Sequence, residues 1–176
     1  LGPGAEGLLF LPYLMGERSP VWDAQATGAF VGLGLHHGRA HLYRAVLEGV
    51  TQALQHKIES GTRDGETLHD AVTVVGGAGR SDLWMQMVAD ITARPVYTIP
   101  GDVEASLGAA MLAALGVGLV DRETLFSRWT NTELRAQPQA ANVVRYAQLY
   151  RQYVALYPAL KDVMHALRAT GLPAGS

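Results

Sequence analysis

The sequence predicts an α/β domain with a mainly parallel or mixed sheet, on three observations. Short β-branched runs, AVTVV at 71–75 and PVYTI at 95–99, alternate with stretches where apolar residues recur every three or four positions. Each of these runs leads toward a helix-period segment, giving a β–α–β–α order through the middle of the chain. Three glycines in four residues, Gly76, Gly77 and Gly79, stand where the first run hands over to a helix.

Taken in order, Leu8 to Leu14 (LLFLPYL) predicts a buried strand ended at Pro12, and a charged loop, MGERSPVWDAQATG, follows. Gly28 to Leu35 (GAFVGLGL) predicts a second strand whose glycines allow close backbone approach. From Arg39 to about Ser60 the spacing of Leu42, Ala45, Val46, Gly49, Val50, Ala53, Leu54 and Ile58 predicts an amphipathic helix. After a polar connector at 61–70 and the strand at 71–75, Ser81 is placed to cap a helix. Asp82 then sits on its positive end, and Leu83, Trp84, Met87, Val88 and Ile91 form its apolar face.

The strand at 95–99 ends in a turn at Pro100, Gly101 and Asp102, and a small-residue helix, EASLGAAMLAALG, begins at Glu104. DRETLFSRW predicts a short helix, and TNTELRAQPQA a polar loop. Val143, Tyr146, Tyr150, Tyr153, Tyr157, Leu160, Met164 and Leu167 mark a long helix over about 140–169, with a break expected near Pro158. The core pattern weakens only at 61–70 and 130–140, so residues 1–176 are read as one domain.

Composition narrows the function classes. Of 176 residues 48% are hydrophobic and 17% charged, which suits a buried core and argues against disorder. Sixteen acidic residues nearly cancel fourteen basic ones, so no strong field recruits nucleic acid or an anionic membrane. There is no cysteine, which excludes disulfides and thiolate chemistry and is compatible with a cytoplasmic protein. No apolar run approaches the roughly 20 residues a bilayer span requires, and no signal peptide is marked. The start, LGPGAEG, reads as internal to a longer polypeptide.

A glycine-rich turn opening a helix bares N–H groups at the positive helix end, which suits phosphate oxygens or a nucleotide lying across it. It is also a common packing solution, and it is neither a Walker A motif nor GxGxxG; a dinucleotide-binding reading therefore lacks its fingerprint. His36, His37 and His41 cluster in HHGRAH, but a zinc site needs a further ligand, and solvated residues at a helix start explain them better. Glu17, Arg18 and Asp23 are either catalytic carboxylates with a positioning arginine or a loop tied by a local ion pair, and spacing favours the latter. Asp102 and Glu104 stand at a helix start, where the dipole alone explains carboxylates.

Four segments together resemble the C-terminal half of the FGGY family of carbohydrate kinases, with a flavour closest to xylulose kinases. FLPYLMGERSPVWDAQATGAFVGL (10–33) is similar to the family's leucine-proline, GER-x-P-x-x-D and G-x-F-x-GL run. Gly28, Phe30, Gly32, Leu33, His41, Leu42, Ala45 and Glu48 fit its second signature. Gly76, Gly77, Ala78, Ser81, Trp84, Gln86, Ala89 and Asp90 match its GG-x-x-x-S-x-x-W-x-Q-x-x-AD pattern, and Glu104–Ala110 resembles its EA-x-x-LGAA helix. The four lie in order over about residues 8–116, and the long terminal helix also fits.

The resemblance implies the C-terminal lobe of an actin-like, ribonuclease-H-like ATPase fold, a mixed sheet flanked by helices and incomplete at its N-terminal side. It implies phosphorylation of a sugar hydroxyl, on a ketopentose such as D-xylulose, with ATP and Mg2+ and with homodimers common. Gly76, Gly77, Ala78 and Ser81 would face the adenosine end of ATP. The family's general-base aspartate would lie upstream of Leu1, so no catalytic residue is expected within 1–176 and these residues alone would be inactive. Thr27 stands where the family usually has arginine, which leaves any role of that position open. Glu48 is expected to stabilise its helix rather than catalyse. A non-catalytic actin-like regulator or scaffold is the alternative; an aspartate at the base position separates the two.

Overall fold

The computed structural model describes residues 1–65, 67–99, 105–129 and 131–171. It resolves into two compact units, 1–68 with 139–176, and 69–138. Their boundaries fall in the two segments where the sequence loses its core pattern.

In the first unit, β1 (Leu9–Leu11) pairs antiparallel with β2 (Ala29–Val31), Phe10 opposite Phe30, their rings 4.5 Å apart. Both strands are shorter than the sequence suggests, because Pro12 lacks the N–H that would extend the ladder and Gly32 turns away at φ +92°. Helix α1 (Arg39–Arg63) packs on β1, and the long helix α5 (Ala140–Gly171) packs on both. The core gathers Leu11, Tyr13, Ala26, Ala53, Tyr153 and Met164, with Leu8, Phe10 and Ala45 forming a second cluster. Helix α5 runs through Pro158 without the expected break; Pro158 faces solvent, where water can satisfy the freed carbonyl of the preceding turn.

Two expectations about α1 need correcting. Val50, predicted to face the core, is exposed, while the polar Glu48, Thr51 and Gln52 are buried. A helix covered by a strand on one side and by another helix elsewhere cannot keep a single apolar stripe.

The second unit holds a three-stranded sheet ordered β3 (Val72–Val74), β4 (Val96–Thr98), β5 (Glu133–Ala136). β3 and β4 are parallel and joined through α2 (Asp82–Thr92); β4 and β5 are antiparallel, so the sheet is mixed as expected. The strand β5 replaces the loop expected at TNTELRAQPQA. It escapes notice because it is four residues long inside a polar stretch: Glu133-Leu134-Arg135-Ala136 alternates over too few positions to stand out, and of the four only Ala136 is buried. Helix α2 packs on β4 and β5, burying Met85, Met87, Val88, Ala89 and Ile91. Leu83, expected on that face, is half exposed. Helices α3 (Ala105–Gly116) and α4 (Arg122–Trp129) lie in the small-residue run and in DRETLFSRW, where helices are expected. The turn expected at Pro100, Gly101 and Asp102, and the helix start expected at Glu104, lie outside the described residues.

Candidate functional site

The glycine turn sits at the surface of the second unit. Val75, Gly76 and Gly77 are exposed, a 3-10 turn runs Gly77–Arg80, and Ser81 begins α2. Gly79 N donates to Gly76 O at 3.1 Å and Ser81 N to Ala78 O at 3.3 Å. Ser81 Oγ accepts from Trp84 N at 3.3 Å, the predicted cap, which leaves its hydroxyl proton free to donate elsewhere.

Each glycine of the turn has its own reason. Gly76 holds φ 82°, ψ −167°, a region essentially closed to other residues. Gly79 is buried, and a Cβ there would stand 3.0 Å from Thr98 Oγ1. Gly77 has neither constraint: its φ is not positive and a Cβ would meet nothing within 4 Å among the described residues. Conformation and packing therefore explain two of the three glycines, and the third keeps open space at the surface beside a helix N-terminus.

The other candidate residues resolve into structural roles. Asp23 Oδ2 accepts from Tyr157 OH at 2.8 Å and lies 2.7 Å from His165 Nε2, while Oδ1 accepts from Gln25 N at 2.8 Å. Glu17 and Asp23 exchange backbone hydrogen bonds of 2.9 Å, and Glu17 Oε1 accepts from the N–H groups of Arg18 and Ser19. Arg168 Nη1 donates to Ala24 O at 2.8 Å. Loop 14–26 is thus tied down, but by hydrogen bonds within it and by Tyr157, His165 and Arg168 of α5 rather than by the local ion pair that the spacing suggested. The hydrogen bond to His165 is the largest influence on Asp23 and holds its carboxyl at about 2. Burial, then the bond to that carboxylate, pushes Tyr157 up to about 12.

A stability prediction follows from the Asp23 latch. Its folded pKa lies below the ordinary 3.8, so its contribution is complete above that value and is lost as pH falls toward about 2. Asp23→Asn is expected to lower Tm by roughly 3–6 °C at pH 6, from about 1.5 kcal/mol for a charge-assisted hydrogen bond. The gap should close as the pH approaches 2; melting curves across pH 2–7 check it, and a gap that does not narrow would remove the carboxylate from the account.

The histidines serve local ends. His37 Nδ1 accepts from Gly34 N at 2.7 Å and His41 Nδ1 from Gly38 N at 3.0 Å, which stitches the approach to α1. Their Nε2 atoms are buried rather than solvated, a correction to the sequence expectation. Glu6 lies 3.4 Å from His41 Nε2. Among the described residues no three His, Asp or Glu side chains are grouped to hold a metal. Glu48, 4% exposed, accepts through Oε1 from Gly4 N (2.9 Å), Arg44 Nε (2.7 Å) and Tyr146 OH (2.7 Å). It is a structural hub; burial first, then the Glu48 charge, pushes the Tyr146 phenol up.

Sequence reasoning missed what β5 brings to α2. Gln86 Nε2 donates to Asp90 Oδ1 at 2.9 Å and to Gln137 O at 2.8 Å, stapling the end of β5 to the helix. Arg135 forms an ion pair with Asp82, the first residue of α2. No local signal in the sequence announces a pairing between residues 53 positions apart.

The model of the FGGY family of carbohydrate kinases, C-terminal domain, matches residues 2–117. The chain belongs to this family. A xylulose kinase of Bacillus subtilis is 37% identical over 94% of the chain, which covers 33% of that protein, and a gluconokinase of Bacillus licheniformis is 36% identical over 91%, covering 31%. Among solved structures, a xylulose kinase from Rhodospirillum rubrum superposes with TM-score 0.79 at 34% identity, with 94% of the chain and 33% of that protein covered. The chain therefore spans about a third of the length of these FGGY kinases. Its fold is that of their actin-like ATPase lobe, a mixed sheet flanked by helices, as the four motifs implied. No helix among the described residues is long and apolar enough to cross a membrane.

Proposed function

We propose that residues 1–176 are the nucleotide-binding C-terminal domain of an ATP-dependent carbohydrate kinase acting on a ketopentose such as D-xylulose. In this reading the Gly76–Ser81 turn receives the adenosine end of ATP. The observation that carries it is Gly77, whose missing side chain has no conformational or packing cause among the described residues. Relatives called xylulose kinase and gluconokinase both support sugar phosphorylation, and the xylulose kinases of Bacillus subtilis and Lactococcus lactis, each 37% identical, support the pentulose.

Within this chain the chemistry is binding and orientation. Gly76, Gly77 and Ala78, with no side chain beyond a methyl, let a ligand approach the backbone, and the Ser81 cap fixes where α2 begins and its dipole points. Phosphoryl transfer depends chiefly on positioning and on neutralising phosphate charge, so a rigid seat for the nucleoside end is a direct contribution to rate. ATP is expected to arrive as its Mg2+ complex, an ion held largely by the phosphates themselves and by water.

Gly77→Val tests the assignment in the full-length protein. The valine enters open space, so Tm should hold within about 2 °C, while the ATP dissociation constant should rise at least about tenfold, or 1.4 kcal/mol. Calorimetric titration with ATP reads the result. Unchanged affinity in a folded variant would place the nucleotide elsewhere.

A further inference from the structure

The glycine turn is closed by its own backbone, but its height above the sheet is set from below. Gly79 N to Gly76 O and Ser81 N to Ala78 O are bonds within the turn, and neither reaches β4. Gly79 is the buried residue of the segment, and Thr98 of β4 lies beneath it. A Cβ added at Gly79 would stand 3.0 Å from Thr98 Oγ1, 3.6 Å from Val74 O and 3.9 Å from Thr98 Cβ. Only the first of these is closer than ordinary van der Waals contact. The φ of Gly79 is not positive, so it is the space over Thr98, not the backbone conformation, that calls for glycine there.

Thr98 is held as a fixed floor. β4 is the middle strand of the sheet, and Thr98 pairs with Val74 on one side and Glu133 on the other. Val96 and Thr98, two residues apart, share one face of β4, and both are buried. The Thr98 side chain is branched at Cβ, which restricts rotation about χ1 and keeps Oγ1 from swinging aside. The exposed residues of the turn include Gly76 and Gly77, so Thr98, under buried Gly79, is remote from the surface that a ligand would meet.

We infer that Thr98 is a positioning residue for nucleotide binding: acting through Gly79, it sets how far the Gly76–Ser81 turn stands off the sheet, and so where the nucleoside end of ATP is seated. This rests on the nucleotide site proposed above. Thr98 works by shape and does not touch the ligand, which makes the inference separable by a size swap.

The test uses the full-length protein and titrates ATP into wild type, Gly79→Ala, Thr98→Ala, the double variant and Thr98→Val, with melting curves for each. Gly79→Ala adds the methyl that meets Thr98 Oγ1 and lifts the turn, whereas Thr98→Ala removes the support and lets the turn settle. Each should raise the ATP dissociation constant about three- to tenfold, the scale for a binding group displaced by less than an ångström. In the double variant the added methyl faces the Cβ of position 98 at an ordinary 3.9 Å. The double variant and Thr98→Val, which keeps the shape without the hydroxyl, should both bind ATP within about twofold of wild type. Gly79→Ala against the double variant decides the matter alone should Thr98→Ala fail to fold.

Single variants that melt lower but bind ATP like wild type would make the contact purely structural and overturn the inference. So would a double variant no better than the single ones, or a Thr98→Val protein as weak as Thr98→Ala, which would mean that the hydroxyl itself is used. If Gly77→Val loses ATP while Gly79→Ala and Thr98→Ala keep it, only this inference falls; if Gly77→Val binds ATP like wild type, the site is misplaced and both fall.

Discussion

Replacing Glu48 with alanine is expected to remove about 3–5 kcal/mol of stability, the scale for stripping one partner from a buried ion pair. The residue is 4% exposed, and three donors converge on its Oε1: Gly4 N–H, the Arg44 guanidinium and the Tyr146 hydroxyl. Alanine leaves the Arg44 side chain, itself 11% exposed, with its positive charge facing an emptied pocket. Arg44 keeps Leu1 O and Tyr146 OH, neither of which carries a countercharge. The loss would consume much of a typical domain stability of about 5–15 kcal/mol. Urea denaturation measures it, and Glu48→Gln should fall between wild type and alanine because the amide keeps an acceptor but not the charge. An alanine variant with unchanged melting and abolished turnover would instead move Glu48 from scaffold to chemistry.

Glu48 also shows where the sequence stops being informative. Its place in the second signature marked the position, and its helical spacing marked the element, but neither pointed to Gly4 and Tyr146, 44 and 98 residues away. The same holds for Asp23 and His165, separated by 142 residues. Local periodicity located α1, α2 and α5 because a helix announces its buried face within a few turns, and small-residue composition located α3. It failed for β5, whose four residues with only Ala136 buried are too short a run to announce a strand, and with that strand it missed the Arg135–Asp82 pair. The turn itself was legible as a motif. That Gly77 differs from its neighbours required coordinates: three glycines look alike in a sequence, while of these three only Gly77 has neither a positive φ nor, among the described residues, an atom within 4 Å of an added Cβ.

Gly49→Ala is the second large effect, and its sign is the informative part. In an exposed helix interior, alanine gains about 1 kcal/mol over glycine. Gly49 is instead the point where α1 meets β1: a Cβ there would lie 2.2 Å from Phe10 O and 3.1 Å from its carbonyl carbon. Those are backbone atoms held in a ladder, with Phe10 paired to Phe30 and its ring against the Phe30 ring, so no flexible side-chain end can yield. The helix must move away from the strand, which loosens the packing of Ala45 and Ala53 on the two core clusters. Overpacking of this kind costs about 1–3 kcal/mol, more than the propensity gain, and the net result should be a fall in Tm of several degrees. The strand cannot shift to relieve the clash without dragging Leu9 and Leu11 out of register with Val31 and Ala29. A variant that melts at or above the wild-type temperature would mean that α1 and β1 stand farther apart than these distances allow.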